Sequence, residues 1–395
     1  MLIVRRPEGL YCEAGDFHID PWRPVARAVL THAHADHARP GHGAYLAAAP
    51  GAGVLRARLG AIALQTLRYG ESIDVGGVRV SLHPAGHVLG SAQVRLEHRG
   101  EVWVVSGDYK LEPDPTCEPF EPVRCHTFVT ESTFGLPVYR WAPPAAVHAA
   151  IDRWWRGNAE AGRASVLFCY AFGKAQRILA GVQDGIGPIV CHGAVEPLNR
   201  AYREAGVALP PTRTVGEVTD RRDLARALVL APPSAAGSAW MRRFPDPGDA
   251  FASGWMALRG ARRRRAVDRG FVLSDHADWA GLQQAIAASG AQRVVVTHGY
   301  VAVMVRWLAG RGLQAQSFDT EFGGEDAGED GAAERSDDRP GNRGDERGEE
   351  RGEEGGEEGG DPGAEPGAEP GAEPGGAGRL AAPWVAPADD PERGG

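Results

Sequence analysis

The chain reads as an α/β protein with a tail that does not join its folded body. Three observations lead there. Short runs rich in Val, Ile and Leu alternate with stretches of helical periodicity through about residue 322. Polar residues of metal-binding type stand just past several of those runs, where α/β folds place their sites. From Gly323 onward Gly, Glu, Asp and Pro take over, with a Gly-Ala-Glu-Pro repeat from Gly363 to Pro374. Such a segment cannot bury enough apolar surface to offset its ordering entropy.

The elements follow in order. Residues 1–131 form the first part of the body, with strands expected at 28–30, 78–82, 93–97 and 101–105 and another leading to Glu131. A helix carrying Trp154 and Trp155 opens an insertion over residues 132–268. It continues with a strand at 165–170, a helix from Lys174, a strand at 189–191, a helix near 197–205 and a strand at 227–230. That alternation implies a parallel sheet. Residues 269–322 return to the first body with a strand at 293–297 and an amphipathic helix at 302–308; residues 323–395 are the disordered acidic tail.

The segment Thr31-His32-Ala33-His34-Ala35-Asp36-His37 places three imidazoles and a carboxylate within six residues. These are ligands that suit Zn²⁺. On extended chain His32 and His34 point the same way and can grip one ion. If the backbone then turns into a helix, Asp36 and His37 point elsewhere, towards a second ion. The plain alternative is a solvated polar loop. His87, in a Gly-bounded loop, Asp108 after the strand 101–105, and His298 after the strand 293–297 complete two ligand sets. Taken singly, each is more often a cap or hydrogen-bonded turn residue than a ligand.

This order of motifs resembles the metallo-β-lactamase superfamily. Glu131 in Thr130-Glu131-Ser132, the stretch Ser274-Asp275-His276-Ala277-Asp278, and Val296-Thr297-His298-Gly299 resemble its β-CASP nuclease branch. Across residues 1–322 the chain resembles bacterial DNA exonucleases described as ligase-associated. The resemblance implies an αββα sandwich with an inserted β-CASP α/β domain and two zinc ions per chain, with Mn²⁺ as an alternative. His32, His34 and His87 would hold one ion, Asp36, His37 and His298 the other, and Asp108 would bridge them. Asp16 would orient ligand histidines from behind, although Asp20 lies close by in sequence. Hydroxide held between the ions would attack phosphorus, with Asp36, Asp108, Glu131 and His276 as the catalytic set and His276 the proton donor. Lys174, Arg177 and Ser238, near two expected helix starts, would bind substrate phosphate. A plain helix cap is the other reading there.

The resemblance further implies DNA hydrolysis, as an exonuclease in repair, with an ATP-dependent DNA ligase and a helicase as partners. The alternative is RNA processing of the RNase J or polyadenylation-endonuclease type. Eukaryotic DNA crosslink-repair members lack a His at the position of His298, whereas RNase J keeps it.

Composition sets outer limits. The formal net charge is −9, but residues 321–395 carry 23 acidic and 7 basic side chains; the first 320 residues carry 36 basic and 29 acidic, net +7. A basic body suits a polyphosphate partner. The densest basic run is Arg262-Arg263-Arg264-Arg265, read either as groove lining or as a solvated loop. The tail would compete with nucleic acid for that groove or serve as a passive solubilising segment. Trp154, Trp155, Trp240 and Trp255 are read either as core or as base-stacking platforms. Five cysteines without a C-x-x-C pair favour a reducing compartment, and no signal-type or membrane-spanning run is present, so a cytoplasmic location away from membranes is expected.

Overall fold

The computed structural model describes residues 1–244, 246–260, 267–322 and Trp384. In chain order the first stretch contains strands β1 (Ile3–Arg6), β2 (Gly9–Cys12), β3 (Phe17–Ile19), β4 (Arg27–Val29) and β5 (Ala44–Ala48), helix α1 (Ala52–Leu59), then β6 (Leu64–Leu67), β7 (Ser72–Val75), β8 (Val78–Pro84), β9 (Ala92–His98), β10 (Glu101–Val105) and β11 (Thr127–Ser132). The middle stretch contains α2 (Pro144–Glu160), β12 (Ser165–Phe168), α3 (Lys174–Gly181), β13 (Ile189–Cys191), α4 (Glu196–Glu204), β14 (Arg213–Thr214), α5 (Arg221–Leu224), β15 (Leu228–Ala231), β16 (Gly248–Ala252) and β17 (Arg269–Phe271). The last contains α6 (Trp279–Ser289), β18 (Arg293–Gly299), α7 (Val301–Ala309) and β19 (Gln314–Ser317).

Three sheets result. The first runs β1-β2-β3-β4-β5-β6, the second β19-β18-β11-β10-β9-β8-β7, and the third β14-β13-β15-β12-β16-β17. The third is wholly parallel and lies in sequence between β11 and β18, which pair directly in the second. It runs through Phe271, a little beyond residue 269.

Packing makes layers of these sheets. Val29, Leu46, Val80, Leu96, Val105, Val129 and Val295 share one buried cluster, so the first two sheets face each other. The other face of the second sheet is covered by α6 and α7 through Leu282, Ile286, Met304 and Leu308. The other face of the first shares a cluster with α1, α2, α3, α4 and the third sheet. Helix α2 shows why: Pro144 starts it, and Val147, Ile151, Trp155 and Ala159 recur every fourth position along one buried stripe. No helix among the described residues is long and apolar enough to cross a membrane.

One sequence reading changes here. Trp384 lies within the expected disordered tail, yet its indole is buried against Phe17 and beneath the Arg27 guanidinium. Apolar burial of one large ring offsets the ordering of that residue. Of the four tryptophans, Trp155 is fully buried, Trp154 packs on Phe271, and Trp240 packs on His192 and Phe244. Trp255 instead joins Phe134, Tyr139 and Tyr300 in an aromatic layer whose Phe134 ring also meets His276. The arginine run 262–265 lies outside the described residues.

Candidate metal centre

Parallel strands point their C-terminal ends the same way, and the candidate residues sit at those ends. β10, β11 and β18 are mutually parallel, as are β3, β4 and β5. His32, His34, Asp36 and His37 follow β4 on a loop that tightens into one turn, the Ala38 N–H donating to the His34 carbonyl at 2.7 Å. No helix continues from it. His87 lies in the β8–β9 loop, Asp108 follows β10, Glu131 lies near the end of β11, His276 precedes α6, and His298 lies near the end of β18. Two glycines shape the approach. Gly86 and Gly107 both adopt left-handed φ, and a Cβ on either would collide, with the Lys110 carbonyl or with Thr31.

Asp108 is the centre. Its Oδ2 lies 3.5 Å from His32 Nε2, 3.5 Å from His37 Nε2 and 3.8 Å from His87 Nε2; its Oδ1 lies 3.1 Å from His298 Nε2. Asp36 Oδ2 stands 3.7 Å from His37 Nε2. All these residues are buried. The structure thus brings together the seven residues His32, His34, Asp36, His37, His87, Asp108 and His298.

The hydrogen bonds behind the rings say what the front of each ring must be. Thr31 Oγ1 donates to Asp20 Oδ2 at 2.5 Å, so at 3.0 Å it accepts from His32 Nδ1. Thr297 Oγ1 donates to the Thr130 carbonyl and accepts in the same way from His298 Nδ1. His37 Nδ1 donates to Asp20 Oδ2 at 2.8 Å, His87 Nδ1 to the Asp275 carbonyl at 2.9 Å, and His34 Nε2 to the Phe172 carbonyl at 3.2 Å. In the neutral form of each ring, the inward-facing nitrogen is then a lone pair. His34 Nδ1 and His87 Nε2 face each other at 3.0 Å, and the buried Nε2 atoms of His32, His37 and His298 have no hydrogen-bond partner among the described residues. Five lone pairs aimed at one another and at a buried carboxylate repel unless cations lie between them. The residues present fit metal ions.

Electrostatics agree. Burial holds His32 and His87 well below the usual imidazole range and His34 down to about 4, keeping them neutral as ligands must be. Burial works against a proton on His37 too, yet Asp108, Asp36 and Asp20 carry it well above its ordinary value. Burial would raise Asp108, but His37 and His276 hold it well below the carboxylate range. The pocket calls for positive charge.

Beside this cluster, Glu131 Oε2 meets His276 Nδ1 at 2.9 Å, and Glu131 Oε1 accepts the Tyr109 N–H at 2.8 Å. Asp108, Glu131 and His276 converge within 4.8 Å, and the His276 ring lies 4.7 Å from His87. Trp141 Nε1 donates to the His276 carbonyl at 2.8 Å.

Four expectations need correction. Asp16 is exposed, bonded to Tyr11 and Arg27; the carboxylate that meets His37 is Asp20, itself held at positive φ and binding both the N–H and the hydroxyl of Thr31. Lys174 does not face solvent, because it is buried 3.2 Å from Asp275. Arg177 is equally buried, with Asp114 at 2.9 Å and Asp275 at 3.1 Å. Ser238 turns its hydroxyl to the Ala235 carbonyl, and a five-residue 3-10 segment rather than an α-helix follows it. Sequence reasoning also missed Phe322, which stacks on His37 at 4.4 Å and meets His298 at 5.6 Å. Nothing in its sequence surroundings signals that contact.

No protein-family model matches the chain. Over 316 residues it is 34% identical to a protein named "Probable DNA ligase" from Opitutus terrae, an alignment covering 79% of this chain and 30% of that one. Over 118 residues it is 29% identical to the "Endoribonuclease YSH1" of Saccharomyces cerevisiae, covering 29% of this chain and 15% of that protein. The namesake from Yarrowia lipolytica is 28% identical over 124 residues, covering 29% and 14%. The chain therefore spans 30% or less of the length of these relatives. A crystal structure of a protein of unknown function from Enterococcus faecalis V583 matches with a TM-score of 0.50 at 13% identity, covering 75% of this chain and 80% of that one, a likeness of fold alone.

Proposed function

We propose that the chain is a metal-dependent nuclease of the β-CASP branch of the metallo-β-lactamase superfamily, hydrolysing DNA as an exonuclease in repair. The observation that carries this reading is the set of five inward-facing imidazole lone pairs around Asp108. Similarity to a ligase-named protein and to endoribonucleases supports nucleic acid as the substrate. The ligase-named relative extends far beyond its matched portion, which suits a nuclease working beside a ligase and a helicase.

His32, His34 and His87 would hold one zinc ion, Asp36, His37 and His298 the second, with Asp108 between them. When bound, such a pair supplies Lewis acidity towards a phosphoryl oxygen and lowers the pKa of water to about 7. The chain's own residues do the rest. Glu131 holds the Nδ1 proton of His276 and favours its imidazolium form, so His276 can protonate the leaving oxygen. Tyr109 N–H fixes the other Glu131 oxygen, and Trp141 fixes the His276 backbone. The Phe134–Trp255 layer packs behind His276.

RNA is the second reading, favoured by His298 and by the endoribonuclease similarity. End-labelled single-stranded and duplex DNA, with RNA of the same sequence, tests both. The proposal expects shortening of DNA from its ends, abolished by chelation and restored by Zn²⁺ or Mn²⁺. Preferential RNA cleavage would favour the second reading, and cleavage of neither by metal-loaded protein would contradict both.

A further inference from the structure

We infer that Arg177 is a positioning residue through which the middle stretch of the chain assembles one of the two metal sites but not the other. This rests on the metal-centre reading above. Arg177 belongs to α3, beside the third sheet, yet its guanidinium reaches two backbone carbonyls of the site, Ser274 at 3.1 Å and His87 at 3.1 Å. Its Nε faces Asp275 and Asp114. The Asp275 carbonyl accepts the Nδ1 proton of His87, which closes a circuit through three residues far apart in sequence. Arg177 thus locks the His87 loop to the loop that carries His276. A planar fork in fixed geometry can donate to two backbone carbonyls while its Nε edge faces two carboxylates; an ammonium cannot.

The surrounding charges are spent internally. Lys174 and Arg177 stand against Asp275 and Asp114, the first three buried and Asp114 partly so. Arg177 is therefore a brace and not a phosphate ligand. The dependence is also one-sided. The outward nitrogens of His34 and His87 are held by Phe172 from the middle stretch and by Asp275, which that stretch braces. The outward nitrogens of His32, His37 and His298 are held by Thr31, Asp20 and Thr297, from the same two sheets that carry those rings. Loosening the brace should disturb the ion held by His32, His34 and His87 and spare the ion held by Asp36, His37 and His298.

The test is competitive titration of full-length, metal-stripped protein with Zn²⁺ against a fluorescent chelator. Wild type should take up two equivalents. In Arg177→Met one equivalent should bind about 10–100-fold more weakly, as loss of a ligand-orienting partner generally produces, while the other is unchanged. Arg177→Lys, which keeps charge but not the fork, should show the same one-site loss to a smaller degree, and it is the variant measured if Arg177→Met does not fold. Two equivalents at wild-type affinity would overturn the inference. So would equal weakening of both in step with a fall in melting temperature, which marks a merely structural role. Wild type binding fewer than two equivalents would instead count against the metal-centre reading.

Discussion

At the scale of single residues, the ligand-type side chains were legible because metal chemistry admits few residue types, and His32, His34, Asp36 and His37 crowd into one short segment. The residues behind them were harder to read. Asp16 and Asp20 are both Asp on the same stretch; only the fold shows that Asp20 is enclosed by Thr31 and His37 while Asp16 meets Arg27 at the surface. Asp20→Asn should therefore weaken binding of one metal ion by about 10–100-fold, and Asp16→Asn should leave metal uptake at the wild-type level. Calorimetric titration of the two variants decides between them. His276 belongs to this scale too. Its imidazole is gripped by Glu131. His276→Ala should keep its metal content and lose about 10²–10⁴-fold in turnover; unchanged turnover would remove it from the proton-donor role.

At the scale of elements, long apolar strands such as β8, β9, β10 and β18 stood out by pattern, and so did α2. Among the strands that escaped were β5, three of whose five residues are alanine, β14 with two residues, and β16, which opens on Gly-Asp; none of these three has a β-branched run. Helix α6 escaped because Ala and Gln fill much of it, blurring its periodicity. The loops between elements carry the strain. Gly107 keeps a left-handed φ between β10 and Asp108, against Thr31, the residue that also supports Asp20 and His32. Gly107→Ala should cost about 2 kcal/mol from the backbone alone, measured by urea unfolding, and should weaken metal binding through Thr31. A variant as stable as wild type would mean that the loop relaxes freely.

At the scale of the whole molecule, the first two sheets bring both groups of ligand-type residues to one rim, fed by strands before and after the middle stretch. That convergence was read from motif order and resemblance, since no local pattern reports pairing between β11 and β18 across about 160 residues. The tail was legible as a change of composition, whereas Trp384 was not, because its partners Phe17 and Arg27 lie near the other end of the chain. Trp384→Ala should lower unfolding free energy by about 3 kcal/mol, seen in the denaturation midpoint, and should leave metal content intact. The most direct measurement is elemental analysis of metal per chain in wild type and in Asp108→Ala. The account predicts two equivalents of transition metal in the first and a loss of metal in the second; fewer than two in wild type, or full occupancy without the Asp108 carboxylate, would contradict it.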